Sequence, residues 1–329
     1  MRRARNDVSL RSIPGYAPCS PLGVYNVEMI CWKLIRPWWA LLILCLLAAG
    51  AVVRAAQGPV ARPDFRLELV DRDGRRTLVG MLPGTTFAPR ISPDGKEVLY
   101  DTNNDGVIWI AKISDVNSKR RLSSEARNRG PMWSGDGRRV LYIIDHEGAE
   151  TMFWRASDGT GTAELIQKPA RAPESWSSAQ QRFSFITFNN SDYDVWTYSL
   201  ADKRATPFAA VVGSPQHSSR FSPDGRWIAY VSAETGVQQV YVQPFPGPGP
   251  KIQITKAGGG HPLWSPDQGE LFFDNNGQMF VTTIRTGATP SAGEPVALPI
   301  SGFVQGPLRR QYDLMPDGRQ FLMLFPQGR

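Results

Sequence analysis

All three cysteines of this 329-residue chain, Cys19, Cys31 and Cys45, fall in its first 56 residues, so no disulfide can staple residues 57–329. Histidine is equally scarce. His146, His217 and His261 stand 71 and 44 residues apart, which gives no local cluster with metal-ligand spacing and reads as three ordinary loop histidines. Apolar residues form one long run, 38–53. Nor is there a surplus of one charge where it would matter: of 37 Lys/Arg and 30 Asp/Glu, residues 1–56 hold seven and two, leaving 30 against 28 in the rest. A groove that tracks phosphates needs a clustered basic excess, so nucleic-acid binding is excluded as an expectation. What is abundant is turn and aromatic residues. The 31 Gly and 27 Pro are spread along the chain rather than gathered in one tract, and ten Trp and fifteen Phe argue for a packed, turn-dense β fold instead of disorder.

The run at 38–53 follows Lys33 and Arg36 and is too short for a comfortable membrane span. It fits the apolar region of a signal peptide, with small residues at Ala49 and Ala51, or Val53 and Ala55, as cleavage positions. Left uncleaved, the same N-terminal apolar helix would be the route to a membrane. Met29 with Lys33 and Arg36 makes a normal short start for such a segment. Cys45 follows Leu44, where a lipoprotein signal needs a small residue, which argues against a lipid anchor. Residues 1–56 are therefore expected to be an export leader and 57–64 a linker.

From Pro89 onward the chain writes the same phrase six times: a strand, a Ser-Pro-Asp-Gly-like turn, and a second strand. The anchors are Ser92-Pro93-Asp94-Gly95, Ser134-Gly135-Asp136-Gly137, a worn Ser177-Ser178-Ala179-Gln180, Ser222-Pro223-Asp224-Gly225, Ser265-Pro266-Asp267-Gln268-Gly269 and Met315-Pro316-Asp317-Gly318, at steps of 42, 43, 45, 43 and 50 residues. Each is followed by strand-like runs such as Glu97–Tyr100 and Ile108–Ile113, with polar hairpins between them. Periods in the forties built from short β-runs are the mark of four-stranded propeller blades. The end repeats are complementary: residues 311–325 supply only inner strands, while 65–70 and 76–79 supply only outer ones. Pairing the two chain ends completes one blade and removes open sheet edges. The expected fold is all-β, a six-bladed β-propeller over 65–329 whose last blade is a composite of both termini. The aromatics before the turns, Trp133, Trp176, Phe221 and Trp264, are expected to fill the wedges between blades rather than to stack on a ligand.

The Ser-Pro-Asp-Gly-(Lys/Arg)-x-(Ile/Val)-x-Tyr phrase, clearest at Ser222 to Tyr230, resembles the TolB-like, WD-repeat-like propeller family of periplasmic and cell-surface bacterial proteins. The stretch Val240 to Gly249, continuing to Gly258–Asp267, looks especially like the extracytoplasmic propeller of bacterial transmembrane serine/threonine kinases. No kinase Gly-rich loop or His-Arg-Asp loop accompanies it, and no Gly-x-Ser-x-Gly elbow of the kind beside prolyl oligopeptidase propellers. The resemblance implies a non-enzymatic module that binds a protein or envelope ligand, with no cofactor. The alternative is a propeller hydrolase or lyase acting on sugars or peptides at the channel mouth.

No catalytic or metal-binding residue is assigned. Asp101-Thr-Asn-Asn-Asp105-Gly106 imitates the start of a calcium loop, but Lys112 stands where the bidentate carboxylate belongs, so the stretch reads as a hairpin turn. More suggestive are the hairpins between second and third strands. Asn104, Asp105, Asp145, His146, Asn190, Asp192, Asp274 and Asn275 are expected to gather on one face of the disc, with Lys96, Arg138, Arg139, Arg182, Arg226 and Arg319 near the opposite turns. An acid-amide face of this kind would receive a polar ligand or a basic partner.

Overall fold

The computed structural model describes residues 63–328 apart from 124–126, 147, 190, 191 and 248; the leader and its apolar run lie outside the described residues. The described chain consists of strands and turns, with no helix among them. Five four-stranded antiparallel sheets and one five-stranded sheet succeed one another, each repeat of the sequence folding into one sheet.

Blade 1 runs Thr86–Ile91, Glu97–Thr102, Val107–Lys112 and Asp115–Arg121 from the hub outward, and blade 2 runs Asn128–Trp133, Arg139–His146, Ala149–Ala156 and Glu164–Gln167. Blade 3 is Ala172–Ser177, Arg182–Asn189, Asp192–Ser199 and Arg204–Ala209. Blade 4 is Gln216–Phe221, Trp227–Ser232, Gln239–Pro244 and Ile252–Gln253. Blade 5 is Gly260–Trp264, Glu270–Asn275 and Gln278–Arg285, with its outer edge in two pieces, Ser291–Ala292 and Val296–Ser301. Blade 6 is the composite: Tyr312–Leu314 and Gln320–Pro326 from the C-terminus pair onward to Phe65–Asp71 and Arg76–Leu82 from the start of the propeller.

The closing ladder runs in unbroken antiparallel register from Phe65 opposite Pro326 to Asp71 opposite Gln320. The ring is thus sealed by the chain's two ends, as the incomplete terminal repeats require.

Because a single four-stranded sheet cannot bury both faces alone, the core lies between blades. Six apolar clusters occupy the six wedges, one per pair of neighbours. Between blades 1 and 2, for example, Leu99, Ile108 and Ile110 meet Trp133, Val140 and Tyr142. The wedge at the seal holds Leu67, Leu322 and Leu324 of blade 6 against Val98, Tyr100 and Ala111 of blade 1. Each buried Leu side chain there is worth roughly 1.5–3 kcal/mol of transfer free energy.

The repeated turn is a small hydrogen-bonded device. In blade 1 Ser92 Oγ donates to Asp94 Oδ1 (2.6 Å) and accepts from the Glu97 amide (2.9 Å), while Asp94 Oδ1 also accepts from the Lys96 amide (3.1 Å). The same three bonds recur at Ser134, Ser222 and Ser265. The Ser92 hydroxyl and the Lys96 amide hold the Asp94 carboxyl below its usual range. Gly95, at φ 75°, supplies the left-handed residue; blade 5 places Gln268 there at φ 61° and the worn blade 3 turn uses Gln181 at φ 48°.

If the seal carries the fold, Leu67→Ala, at a fully buried site, should lower the unfolding free energy by about 2–5 kcal/mol. Leu78→Ala, on the neighbouring strand but 58% exposed, should change it by less than about 0.5 kcal/mol. Urea unfolding of the two variants distinguishes these outcomes, and equal small effects would show that the seal does not hold the ring.

Candidate functional site

Counting back two residues from the first residue of each turn gives one ring of channel-facing positions: Arg90, Met132, Ser175, Arg220, Leu263 and Asp313, one per blade. With the turns above them they line a cup of about 390 Å³ on the face where the six turns lie. Its walls are Trp133, Trp176, Phe221 and Trp264, and its rim is Pro93, Pro223, Pro266 and Pro316. Below the ring the channel narrows to a space of about 30 Å³ lined by Leu308, Arg309 and Arg310. Those residues belong to the strap 302–311 that enters blade 6. Arg309 Nη1 donates to Asp101 of blade 1 (2.5 Å), and the Leu308 carbonyl accepts from Ser218 Oγ of blade 4 (3.4 Å), on the opposite side of the ring. The channel is therefore a one-ended cup.

Most polar groups around the hub are committed to holding blades together. Each inner strand of blades 1–5 carries a β-bulge, marked by a register shift against its neighbour. In blades 1, 2, 4 and 5 the bulged residue, Ala88, Gly130, Ser218 or His261, has a left-handed φ of 50–59°. Three of these bulges turn a backbone N–H toward the preceding blade, where a side chain takes it. Ala88 donates to Gln311 Oε1 (2.9 Å), Gly130 to Asp101 Oδ2 (3.0 Å) and Ser218 to Glu174 Oε1 (2.5 Å). One step further, the Ile91 amide donates to Asp313 Oδ2 (3.0 Å) and the Phe221 amide to Ser175 Oγ (2.9 Å). The wedge tryptophans use the same logic: Trp133 Nε1 donates to the Arg90 carbonyl and Trp264 Nε1 to the Arg220 carbonyl, both at 3.1 Å. These aromatics fill wedges, as expected, and also form the cup wall.

Charge at the floor is unbalanced in detail. Asp313 Oδ1 accepts from Arg310 Nη2 (2.9 Å) and Arg220 Nη2 (3.4 Å). Although burial opposes it, the Arg310, Arg220 and Arg90 guanidiniums keep the Asp313 carboxyl below its usual range. Glu174 receives the Ser218 and Ser219 amides and the Ser219 hydroxyl, yet burial outweighs these bonds and pushes its carboxyl up to about 6. Burial, reinforced by Arg310, brings Arg220 down to about 9.

Of the eight residues expected to form an acid-amide face, Asn190 lies outside the described residues. The others sit at or beside hairpins on the side of the disc away from the cup, and several are tied into the fold. Asp105 Oδ1 accepts from Thr102 Oγ1 (2.5 Å) in the blade 1 hairpin, where Gly106 takes φ 63°, and Asn104 Oδ1 accepts from Thr85 Oγ1 (3.0 Å). Asp145 pairs with Arg129 (3.5 Å), and Arg129 with Arg171 also clasps Glu150. Asn275 Nδ2 donates to the Ala257 carbonyl (3.1 Å), whereas His146 is exposed and Asp192 half-buried. This face therefore mixes arginines with its acids, and on the turn face Lys96 and Arg226 likewise pair with Asp94 and Asp224.

The histidines correct the sequence reading. His217 and His261 are buried inner-strand residues of adjacent blades, not loop residues, because the bulges turn them inward. His261 Nδ1 lies 2.9 Å from Asp274 Oδ2, and His217 Nδ1 lies 2.9 Å from Ser218 Oγ. Burial, with His261 nearby, drives His217 down to about 3, so it is neutral at physiological pH. Among the described residues no group of three or more His, Cys, Asp or Glu is placed to hold a metal ion. Sequence reasoning missed Arg90, Glu174, Arg220, Arg310 and Asp313. The available signal was register: aligning the repeats on the turn serine puts Arg90, Arg220 and Asp313 at one position.

A raised carboxyl pKa favours the protonated form in the folded state, so Glu174 contributes stability below about pH 4.5 that is lost as pH rises through 6. The difference in unfolding free energy between the wild type and Glu174→Gln should accordingly fall by about 2 kcal/mol between pH 4 and 7, whatever the glutamine costs by itself. A difference that stays flat over that window in urea titrations would place the Glu174 carboxyl in its ordinary range.

No family model matches the chain. Among curated proteins it is 25% identical over 196 residues to an uncharacterized protein of Agrobacterium fabrum, covering 57% of this chain and 65% of that one. It is 29% identical over 109 residues to the Tol-Pal system protein TolB of Anaeromyxobacter dehalogenans, covering 31% of this chain and 25% of that one. The chain thus spans less than two thirds of the length of either relative. Among solved structures, a protein of Agrobacterium tumefaciens assigned as TolB superposes with a TM-score of 0.64 at 20% identity, over 81% of this chain and 99% of that one. An oligogalacturonate lyase solved with manganese superposes with a TM-score of 0.53 at 14% identity, over 80% and 83%. At such identities these likenesses speak to fold. The described chain is a six-bladed β-propeller whose fold is similar to that of the protein assigned as TolB.

Proposed function

We propose that this propeller is an extracytoplasmic, non-enzymatic binding module that presents its one-ended cup to a protein or envelope ligand. The observation that carries this reading is the strap: it crosses the channel where it narrows beneath the floor, so the open entrance among the described residues is the turn face, where tryptophan, phenylalanine and proline offer a preformed rim. Rigid aromatic walls around a few fixed polar groups are the composition of a recognition site. Export is supported by the apolar segment at 38–53 and by the TolB-like repeat.

The channel carboxylates favour binding over turnover. Asp313 is held by two arginines and an amide, and Glu174 by two amides and a hydroxyl, so both act as clasps between blades. A lyase or hydrolase would need an acid-base pair free to face its substrate. The oligogalacturonate lyase neighbour keeps that second reading in view through shared architecture alone.

Affinity capture from solubilised membranes tests the proposal. Wild-type protein should retain a specific partner, Pro223→Arg with Pro316→Arg on the cup rim should lose it, and His146→Glu with Asp192→Lys on the opposite face should keep it. Loss only with the opposite-face pair would move the site to the hairpins. Capture of nothing, together with cleavage of oligogalacturonate or peptide, would make the protein an enzyme.

A further inference from the structure

Arg90 is the one floor arginine whose surroundings are unfinished. Its Nη1 donates to the Pro89 carbonyl (2.8 Å) and the Arg310 carbonyl (3.0 Å), both neutral acceptors. Among the described residues no carboxylate forms an ion pair with it, since Asp313 is shared by Arg220 and Arg310. Its Nη2 and Nε donate to none of the described groups, and the side chain lines both the cup and the narrow space beneath. Across the ring Arg220 offers a second guanidinium at the same level, held in place from Nη1 by the Glu174 carbonyl (2.8 Å). Arg90 is half-buried and feels the Asp313 carboxylate, but Arg220 and Arg310 already hold that carboxylate, so the free guanidinium nitrogens of Arg90 face the cup with donors to spare. Both arginines titrate below their usual range, first through burial and then through crowding by Arg310, with Asp313 opposing the shift, and a second anion in the cup would relieve it further.

We infer that the cup floor is a carboxylate subsite, with Arg90 as its main donor and Arg220 as its second, that receives an acidic side chain or free C-terminus of a partner peptide. The inference deepens the binding reading above and rests on the cup being the ligand face. A carboxylate matches the planar fork of a guanidinium in a way that a neutral amide does not. The walls suit a peptide: Trp133, Trp176, Trp264 and Phe221 supply apolar contact around the charged floor, with room in about 390 Å³ for a few side chains.

Tryptophan fluorescence of the cup wall reads the test directly. Four probes are titrated: acetyl-triglutamate amide, acetyl-triglutamine with a free C-terminus, acetyl-triglutamine amide, and trigalacturonate. Saturable quenching by the first or second supports the subsite and identifies side chain or terminus as the source. Arg90→Met should then weaken binding by about ten-fold or more, and Met315→Glu, which places a competing carboxylate at a residue that also lines the cup, should weaken it where Met315→Gln does not. The Met315 pair keeps the test valid if Arg90→Met fails to fold. Equal binding of the uncharged amide, binding of trigalacturonate alone, or no quenching by any probe would overturn the assignment. If membrane capture succeeds and Arg90→Met captures the partner equally well, the binding module stands and the carboxylate subsite falls.

Discussion

The seal between Phe65–Asp71 and Gln320–Pro326 is the constraint on which the rest of the molecule depends. It joins segments separated by nearly the whole propeller, and the chain entropy lost in closing so long a loop grows only slowly with length. The return is large, because the same pairing completes blade 6 and creates the two wedges that flank it. Without it the Leu67, Leu322 and Leu324 cluster has no partner sheet and two blade edges face water. A ring of six blades gains its stability from nearest-neighbour wedges, so opening one seam removes support from both sides.

The way the hub is closed determines what the channel can do. A propeller's inner strands converge, and the bulges at Ala88, Gly130 and Ser218 turn backbone amides sideways into the neighbouring blade. Buried amides of this kind require acceptors. Gln311, Asp101 and Glu174 meet that need, which removes them from the pool of groups available for chemistry. The strap uses Asp101 a second time through Arg309, so one carboxylate serves both the clasp and the plug. What is left facing the cup is mainly apolar wall and guanidinium.

Much of the fold was legible in the sequence because its signals are local and repeated. The turn phrase fixes blade number and period through a Ser-Asp-Gly hydrogen-bond pattern, and the incomplete terminal repeats reveal the seal. The site was less legible for physical reasons. Ala88, Ser218 and His261 adopt left-handed φ without being glycine, so nothing in their identity marks a bulge, and without the bulge His217 and His261 read as loop residues. Arg90 and Arg220 look like any polar strand residue until the repeats are stacked in register. The hairpin acids Asp101 and Asp145 are plain in the sequence, but their arginine partners Arg309 and Arg129 come from distant strands or from the strap.

The two faces differ in what their charges can still do. On the hairpin face, Asp101, Asp145 and Glu150 have each met an arginine, and a bound partner would have to displace an existing ion pair for any new one it formed. Their carboxylates are buried or nearly so, and breaking such a pair would leave a desolvated charge without its partner. At the cup floor the balance runs the other way, since half-buried Arg90 makes no ion pair among the described residues, so an incoming carboxylate forms a pair without breaking one. Part of the desolvation of the guanidinium has been met in the folding of the ring itself, since Arg90 is half-buried. A preformed, partly desolvated donor at the end of a closed cup is therefore where binding free energy is most accessible to this fold.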